Sequence, residues 1–367
     1  MQKNLIMKLF FEIFSSNYMR ILFQIPFLET IYAGRTIYFG YKHAFEDMGH
    51  DFQPVTALDD FVKKINDFSP DILITSLNTF NLKYMDLSEI KKKKGRGMKV
   101  FVNTPFWNSP FVQVRLNETR GISHNKQFIN LIKSGDFGDV YYNVCEQGDP
   151  RMAGFEKATG YPYFTIPLAA DKHLHFPEYT KKYETDISYI GTRLPGKINY
   201  FNQYLYPLRK SYNVKLYGQD WKMIDRIQGV VQKAGQYFNI PIIRSLQKAK
   251  LNLEDERRIY ASSKISINIH EDYQLKFGGD CNERTFKIPA CGGFEITDNV
   301  ACIKKYFKQG KEIIIAENKQ DWFEKIEYFY RNPEKRLPII EAGMKRVQRD
   351  HTYHNRVQQM VEIYTII

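Results

Sequence analysis

Cysteine is scarce in this 367-residue chain, with four in all, at Cys145, Cys281, Cys291 and Cys302. No two have the spacing of a zinc knuckle, and the number is too low for a secreted disulfide scaffold. Reduced thiols in a cytoplasmic protein are expected. Long apolar runs are lacking too. The stretch 4–14 is short, carries Lys8 and Glu12 and has no small-residue cleavage site, so neither a transmembrane helix nor a signal peptide is expected. At helical spacing it fits an amphipathic foot on a membrane, an added helix or the product of an upstream start codon. Residues 1–18 are read as an extension, with the fold proper opening at Met19. The chain has no Gly-x-Ser-x-Gly elbow and no P-loop lysine motif, which removes two large hydrolase classes. His351 with His354, and His173 with His175, lack a third ligand nearby in sequence, so no metal site is predicted.

What is present is a soluble composition, 43% hydrophobic and 26% charged, with 53 Lys and Arg against 41 Asp and Glu for a formal charge of +12. Such an excess favours polyanionic partners, whether nucleic acid, phosphorylated ligands or an acidic membrane surface. The basic run Lys91–Lys94 reads as a solvated loop or as a patch for anionic lipid.

From Met19 onward short apolar runs alternate with helical patterns. Strands are predicted at Met19–Gln24, His50–Val55, Asp71–Leu77, Met98–Asn103, Gly138–Cys145 and Tyr163–Pro167. After a stretch without periodicity, Pro167–Thr180, a second set follows at Asp186–Gly191, Asn213–Tyr217, Lys264–His270, Gly293–Asp298 and Lys311–Ala316. Continuous apolar strands separated by helices imply βαβ units and parallel sheets covered on both faces. The expectation is therefore an α/β protein of two Rossmann-like domains, 19–170 and 171–350, with an interdomain cleft, and a last segment, 351–367, forming one more helix. Ligands bind at the carboxyl ends of such strands.

The most informative stretch is Lys264–Asp298. A strand ends at His270, a polar Gly-rich loop follows, and a helix is predicted from Asn282 or Glu283 to Ala290. Asn282 suits an N-cap and Glu283 the first turn. Free N–H groups at such a helix start hold phosphates in α/β proteins, and Arg284 and Lys287 add positive charge. His270 faces a ligand or merely caps its strand.

The segment NERTFKIPACGGF (282–294), followed by Thr297 and Asp298, resembles the donor-site helix of the CgeB-like glycosyltransferases, relatives of the retaining group-1 enzymes with the GT-B fold. Tyr189–Thr192 resembles that family's first C-domain strand and glycine turn, Val214–Gly218 its second strand, and residues 167–171 its interdomain segment. Residues 341–343 and 351–356 resemble its closing helices. The resemblance implies transfer of a sugar from a nucleotide diphosphate sugar to a hydroxyl acceptor, hexosyltransferase-like, with retention and without a metal or other cofactor; no Asp-x-Asp triplet is present. It also implies a last helix that crosses back to the N-terminal domain. Donor contacts fall on Gly191, Thr192, Arg193, Lys197, Tyr217, Gly218, Asn282, Glu283, Arg284, Thr285, Phe286 and Lys287, with Arg193 and Lys197 placed like the bases that grip diphosphate. His124, His270 and Arg284 are the catalytic candidates. On the acceptor side stand Gly34, read in the loop after the first strand, and Phe106 and Trp107, which fit either a sugar-stacking edge or the core. The acceptor itself, whether glycan, protein, lipid or nucleic acid, is open, as is peripheral contact with an anionic membrane.

The sequence departs from that family at one position. Where relatives carry a Glu that accepts from the ribose hydroxyls, this chain has Lys287, which has donors and no acceptor. The motif's earlier Glu falls on Gly279. Glu283 or Asp280 substitutes, or the donor differs, or the activity is lost; the last leaves a GT-B-shaped binding protein for a polyanion or nucleotide.

Overall fold

A computed structural model describes residues 18–28, 33–108, 121–238, 240–244, 246–247 and 249–367. The extension 1–18 lies almost wholly outside the described residues. Among the described residues eleven strands are found: β1 Arg20–Gln24, β2 Asp51–Val55, β3 Ile72–Ser76, β4 Lys99–Asn103, β5 Val140–Asn143, β6 Tyr163–Thr165, β7 Thr185–Ile190, β8 Val214–Tyr217, β9 Ser263–Asn268, β10 Glu295–Asp298 and β11 Ile314–Ala316. The longer helices are α1 Ala33–Asp47, α2 Phe61–Phe68, α3 Leu87–Lys94, α4 Lys126–Lys133, α5 Met223–Tyr237, α6 Asp255–Ser262, α7 Asp272–Phe277, α8 Arg284–Ala290, α9 Lys319–Arg331, α10 Arg336–Asp350 and α11 Tyr353–Ile366.

The chain forms two compact units. The first holds the described residues up to Leu28, then Ile37–Ile166 and Arg356–Ile367. Its sheet runs β2-β1-β3-β4-β5-β6, every pairing parallel. β3 and β4 are covered on both faces, so their runs Ile72-Leu73-Ile74 and Val100-Phe101-Val102 are buried without alternation, as a parallel sheet between helix layers requires. Asp60, Asp86 and Asn125 cap α2, α3 and α4 by accepting from Lys63, Glu89 and Phe128, which fixes where each helix starts.

The second unit holds Pro167–Asn355 together with the stretch ending at Thr36 in the first turn of α1. Its sheet runs β11-β10-β9-β7-β8, again parallel throughout. Ile187, Tyr189, Ile265, Ile267, Ile296 and Trp322 form its main core. The division falls after Ile166 rather than after Ala170, because Ala170 is tied to the second unit: its N–H donates to His351 and its carbonyl accepts from Tyr353. All of α11 but its first three residues is grouped with the first unit.

The run at 91–94 is neither a loop nor a free patch. It ends α3, where Lys94 reaches the Gly135 and Gly138 carbonyls and pairs with Asp139, Lys91 pairs with Asp136, Lys92 with Glu89, and Lys93 is buried. Cations in a last helical turn also meet the negative end of its dipole.

Candidate functional site

Parallel strands place all their carboxyl ends on one edge of the sheet, and in the second unit that edge carries Gly191, Gly218, His270 and Asp298. β9 is the organising strand. From β9 into the two residues after it, Ile265, Ile267 and Ile269 alternate with Ser266, Asn268 and His270, and all six are buried. Asn268 is the hub. Its Oδ1 accepts from Asn282 Nδ2 at 2.9 Å and from Arg284 Nε at 3.0 Å. Its Nδ2 donates to Glu295 Oε1 at 2.9 Å and to Thr285 Oγ1 at 3.1 Å. A side-chain amide offers two acceptor sites and two donors, and here all four are used.

Two cations meet just beyond that hub. Arg284 Nη2 donates to the Ile269 carbonyl at 3.2 Å, and Lys197 Nζ donates to the same oxygen at 2.8 Å. Among the described residues neither forms an ion pair with a carboxylate within 4 Å, although buried charges normally do. Burial, and next the charge of Arg284, lowers the Lys197 ammonium to about 7 against the weaker opposing pull of Glu271 and Asp298. Arg284 also lies 5.5 Å from the Tyr189 ring centroid, a cation–π contact that neutralises nothing. Arg193 donates through its backbone to the Gln219 carbonyl at 3.0 Å. The pattern is an excess of positive charge held rigidly at a strand end, the electrostatic complement of an anion.

His270 is fully buried with both ring nitrogens engaged. Nδ1 lies 2.5 Å from Asp298 Oδ1 and Nε2 lies 3.3 Å from Thr285 Oγ1. Burial outweighs Asp298 and holds its pKa below the usual value, so the neutral ring donates from Nδ1 to the carboxylate. It orients its neighbours and caps its strand. Glu295, behind Asn268, is pushed up to about 8 by burial, which keeps it protonated at neutral pH.

The predicted amide cradle is not there. Arg284 N donates to Asn282 Oδ1, Thr285 N to the Asn282 carbonyl, and Phe286 N and Lys287 N to the Glu283 carbonyl. The turn closes on itself, and the first-turn donors are spent within it. Positive charge at this place comes from side chains instead.

Lys287 points elsewhere. It is buried, with Nζ 2.8 Å from Glu283 Oε2, 3.3 Å from Glu256 Oε2 and 3.2 Å from Thr36 Oγ1. Burial alone would lower its pKa; Glu256 and Glu283 outweigh that and raise it to about 12. Glu283 is spent as well, accepting from Tyr353 at 2.8 Å and from Thr36 at 2.7 Å. Phe286 is a core residue of a cluster with Val300, Ile303 and Phe307, so its side chain is out of reach of a ligand.

At the β7 and β8 ends the two glycines are structural necessities. Gly218 has φ of 108°, and a Cβ there would stand 2.6 Å from the Gly191 carbonyl oxygen. That carbonyl already accepts from Trp221 Nε1 at 2.9 Å. Thr192 and Tyr217 beside them are half-buried. Replacing Gly218 by Ala combines left-handed strain with a backbone clash and is expected to cost about 3 kcal/mol or more; urea unfolding monitored by circular dichroism measures it.

The acceptor-side candidates scatter. Gly34 lies in the first turn of α1 rather than in a loop, and is exposed. Trp107 is a core residue edge-on to Phe155 with ring centroids at 5.6 Å, and Phe106 is half-buried under Arg151. His124 ends a single turn, Ile122–His124, exposed. Sequence reasoning passed over Asn268, although a polar residue inside a strand buried on both faces was the available signal.

Residues 202–362 match the family model described as glycosyl transferase-like. Solved structures of similar architecture include an alpha-glucosyltransferase in complex with UDP and a 13-mer DNA containing a HMU base, at TM-score 0.60 and 13% identity, covering 95% of this chain and 100% of that one. Sucrose-phosphate synthase from Thermosynechococcus elongatus matches at TM-score 0.61 and 11% identity, covering 95% and 98%. HepE from Anabaena, in complex with UDP and glucose, matches at 0.58 and 12%, covering 95% and 100%. The architecture is thus that of the GT-B glycosyltransferases. No curated protein sequence matches the chain significantly.

Proposed function

We propose that the chain is a glycosyltransferase whose second unit binds the diphosphate of a nucleotide sugar at Lys197 and Arg284. One observation carries this reading: two basic side chains share the Ile269 carbonyl, and among the described residues neither is ion-paired to a carboxylate within 4 Å. The family model over residues 202–362 and the UDP held by structural relatives support it. In transfer the bond from the anomeric carbon to the β-phosphate oxygen breaks, and negative charge grows on the departing diphosphate. Fixed cations in a water-poor place stabilise such charge without reorganising. Lys197 and Arg284 supply that charge themselves, so the reaction is proposed to proceed without a metal, by transfer of a hexose to a hydroxyl with retention, as in the family the sequence resembles. Asn268 holds Arg284 in place; Thr192, Arg193, Tyr217 and Gly218 stand on the same sheet edge as further donor contacts.

The chemistry of Lys197 makes a pH prediction. Free, it is about half protonated near pH 7. A bound diphosphate favours the ammonium form and raises its pKa, so binding above pH 7 takes up a proton. Affinity for UDP is expected to fall by up to about tenfold per pH unit above 7 until the bound-state pKa is reached. Calorimetry in two buffers of different ionisation enthalpy shows the uptake, and Lys197→Met removes it. A panel of nucleotide sugars, read for released nucleoside diphosphate, tests the activity itself. Tight nucleotide binding with no release from any sugar donor would establish instead the inactive nucleotide- or polyanion-binding protein.

A further inference from the structure

Helix α5 is built inside out. Its buried positions are Asp225, Gly229, Gln232 and Gly235, polar or tiny residues at helical spacing. They receive the following turn: Gln232 Oε1 accepts from Gln247 N at 2.6 Å, Gln247 Nε2 donates to the Asp225 carbonyl at 3.0 Å, and Gln236 Nε2 donates to the Arg244 carbonyl at 3.2 Å. Gly235 admits Ile243, whose Cγ1 would stand 2.6 Å from an added Cβ. The outward face is apolar: Met223 is 63% exposed, Val230 70%, Phe238 69% and Ile242 85%, with Ile227 and Tyr237 between them. A helix on a water-soluble domain normally turns its apolar stripe inward. Here polar contacts anchor the helix and the apolar stripe is left outside, and exposed apolar surface of this kind marks an interaction site.

The rim identifies the partner. Lys222 and Lys233 are exposed and Arg226 half-buried, and the only acid between 221 and 250 is Asp225, which is buried and paired with Lys250 at 2.7 Å. A second copy meeting this face about a two-fold axis would set like charges against each other. An anionic lipid surface takes the apolar stripe into its acyl boundary and the bases at its headgroups. Among the described residues no helix is long and apolar enough to cross a membrane. We infer that α5, with Phe238 and Ile242 beyond its end, docks the second unit onto an anionic membrane face.

The test is co-sedimentation of the full chain with phosphatidylcholine vesicles and with vesicles that also contain phosphatidylglycerol. Binding is expected to the mixed vesicles, weakening as salt rises. Ile227→Asp with Val230→Asp is expected to lower it at least about tenfold. Lys222→Gln with Lys233→Gln is expected to lower it by about fivefold for each base removed. Because these side chains are exposed, the circular dichroism spectrum and UDP binding stay unchanged. Absence of binding to anionic vesicles overturns the inference, as does vesicle binding that survives both pairs of substitutions. So does a dimer seen by light scattering that the aspartate pair dissociates while vesicle binding persists.

Discussion

Arg284→Ala is expected to leave the chain folded and to slow sugar transfer by about 100-fold or more, the scale of losing one fixed donor to developing negative charge. The guanidinium spans the hub and the anion place: Nε is held by Asn268 while Nη2 shares the Ile269 carbonyl with Lys197. Its removal takes away two side-chain hydrogen bonds, each worth about 1–2 kcal/mol, and leaves both acceptors with another donor, since Asn268 Oδ1 keeps Asn282 and the Ile269 carbonyl keeps Lys197. Lys197 then feels one cation fewer, and its pKa rises from about 7 toward its ordinary value. The variant is thus expected to pair a large fall in kcat with a UDP affinity that declines less steeply above pH 7. Steady-state kinetics from pH 6 to 9, with these limits as round values of about that range, distinguish this from general unfolding. Unchanged turnover would remove Arg284 from the mechanism.

Lys287→Met is expected to destabilise the protein by about 3–5 kcal/mol, the cost of stranding partners of a buried ion pair. The ammonium stands between Glu283 and Glu256. His175 Nε2 is 3.7 Å from Glu256. Burial works to raise the Glu256 pKa, but Lys287 and His175 together hold it at about 2. A depressed acid contributes stability that is present above its unfolded value and is lost as pH falls through its folded one. The wild-type protein is therefore expected to lose stability from about pH 4.5 down to about pH 2, and the variant to lack most of that dependence. Restoring a glutamate at 287, the residue of the family it resembles, should do worse than Met, since a third carboxylate enters the cluster. Adding Glu283→Gln to Lys287→Met should recover part of the loss. Urea melts of the three variants measure these differences; a loss under about 1 kcal/mol for Lys287→Met would mean water reaches the cluster.

The sheets were legible because a strand buried on both faces writes itself as an unbroken apolar run, and all eleven strands lie within a few residues of where such runs stand. Helix α5 was not legible. Its apolar residues gave a helical stripe without telling which side faces inward, and the polar buried face depends on Gln247 from a later turn. The bases at 91–94 read as a solvated loop or a patch because charge alone does not show that Asp136 and Asp139, more than forty residues on, come back to meet Lys91 and Lys94. In the candidate site, Arg284 and Lys197 were found from the resemblance and from their charge. The amide cradle failed because whether Asn282 caps outward or folds its own turn closed is decided by Asn268, fourteen positions away.

The saturation of Asn268 also limits how this protein can change. Asp at 268 would set a buried carboxylate against Arg284 and cancel the positive charge held there, and Gln would carry the amide a methylene farther from the strand. Neither substitution preserves both the bonds and the charge, so the Asn268–Arg284 couple must be inherited or redesigned as one piece. Attempts to alter the anion proposed to bind there have better prospects at Lys197 or Arg193, whose side chains can vary without dismantling that amide's contacts.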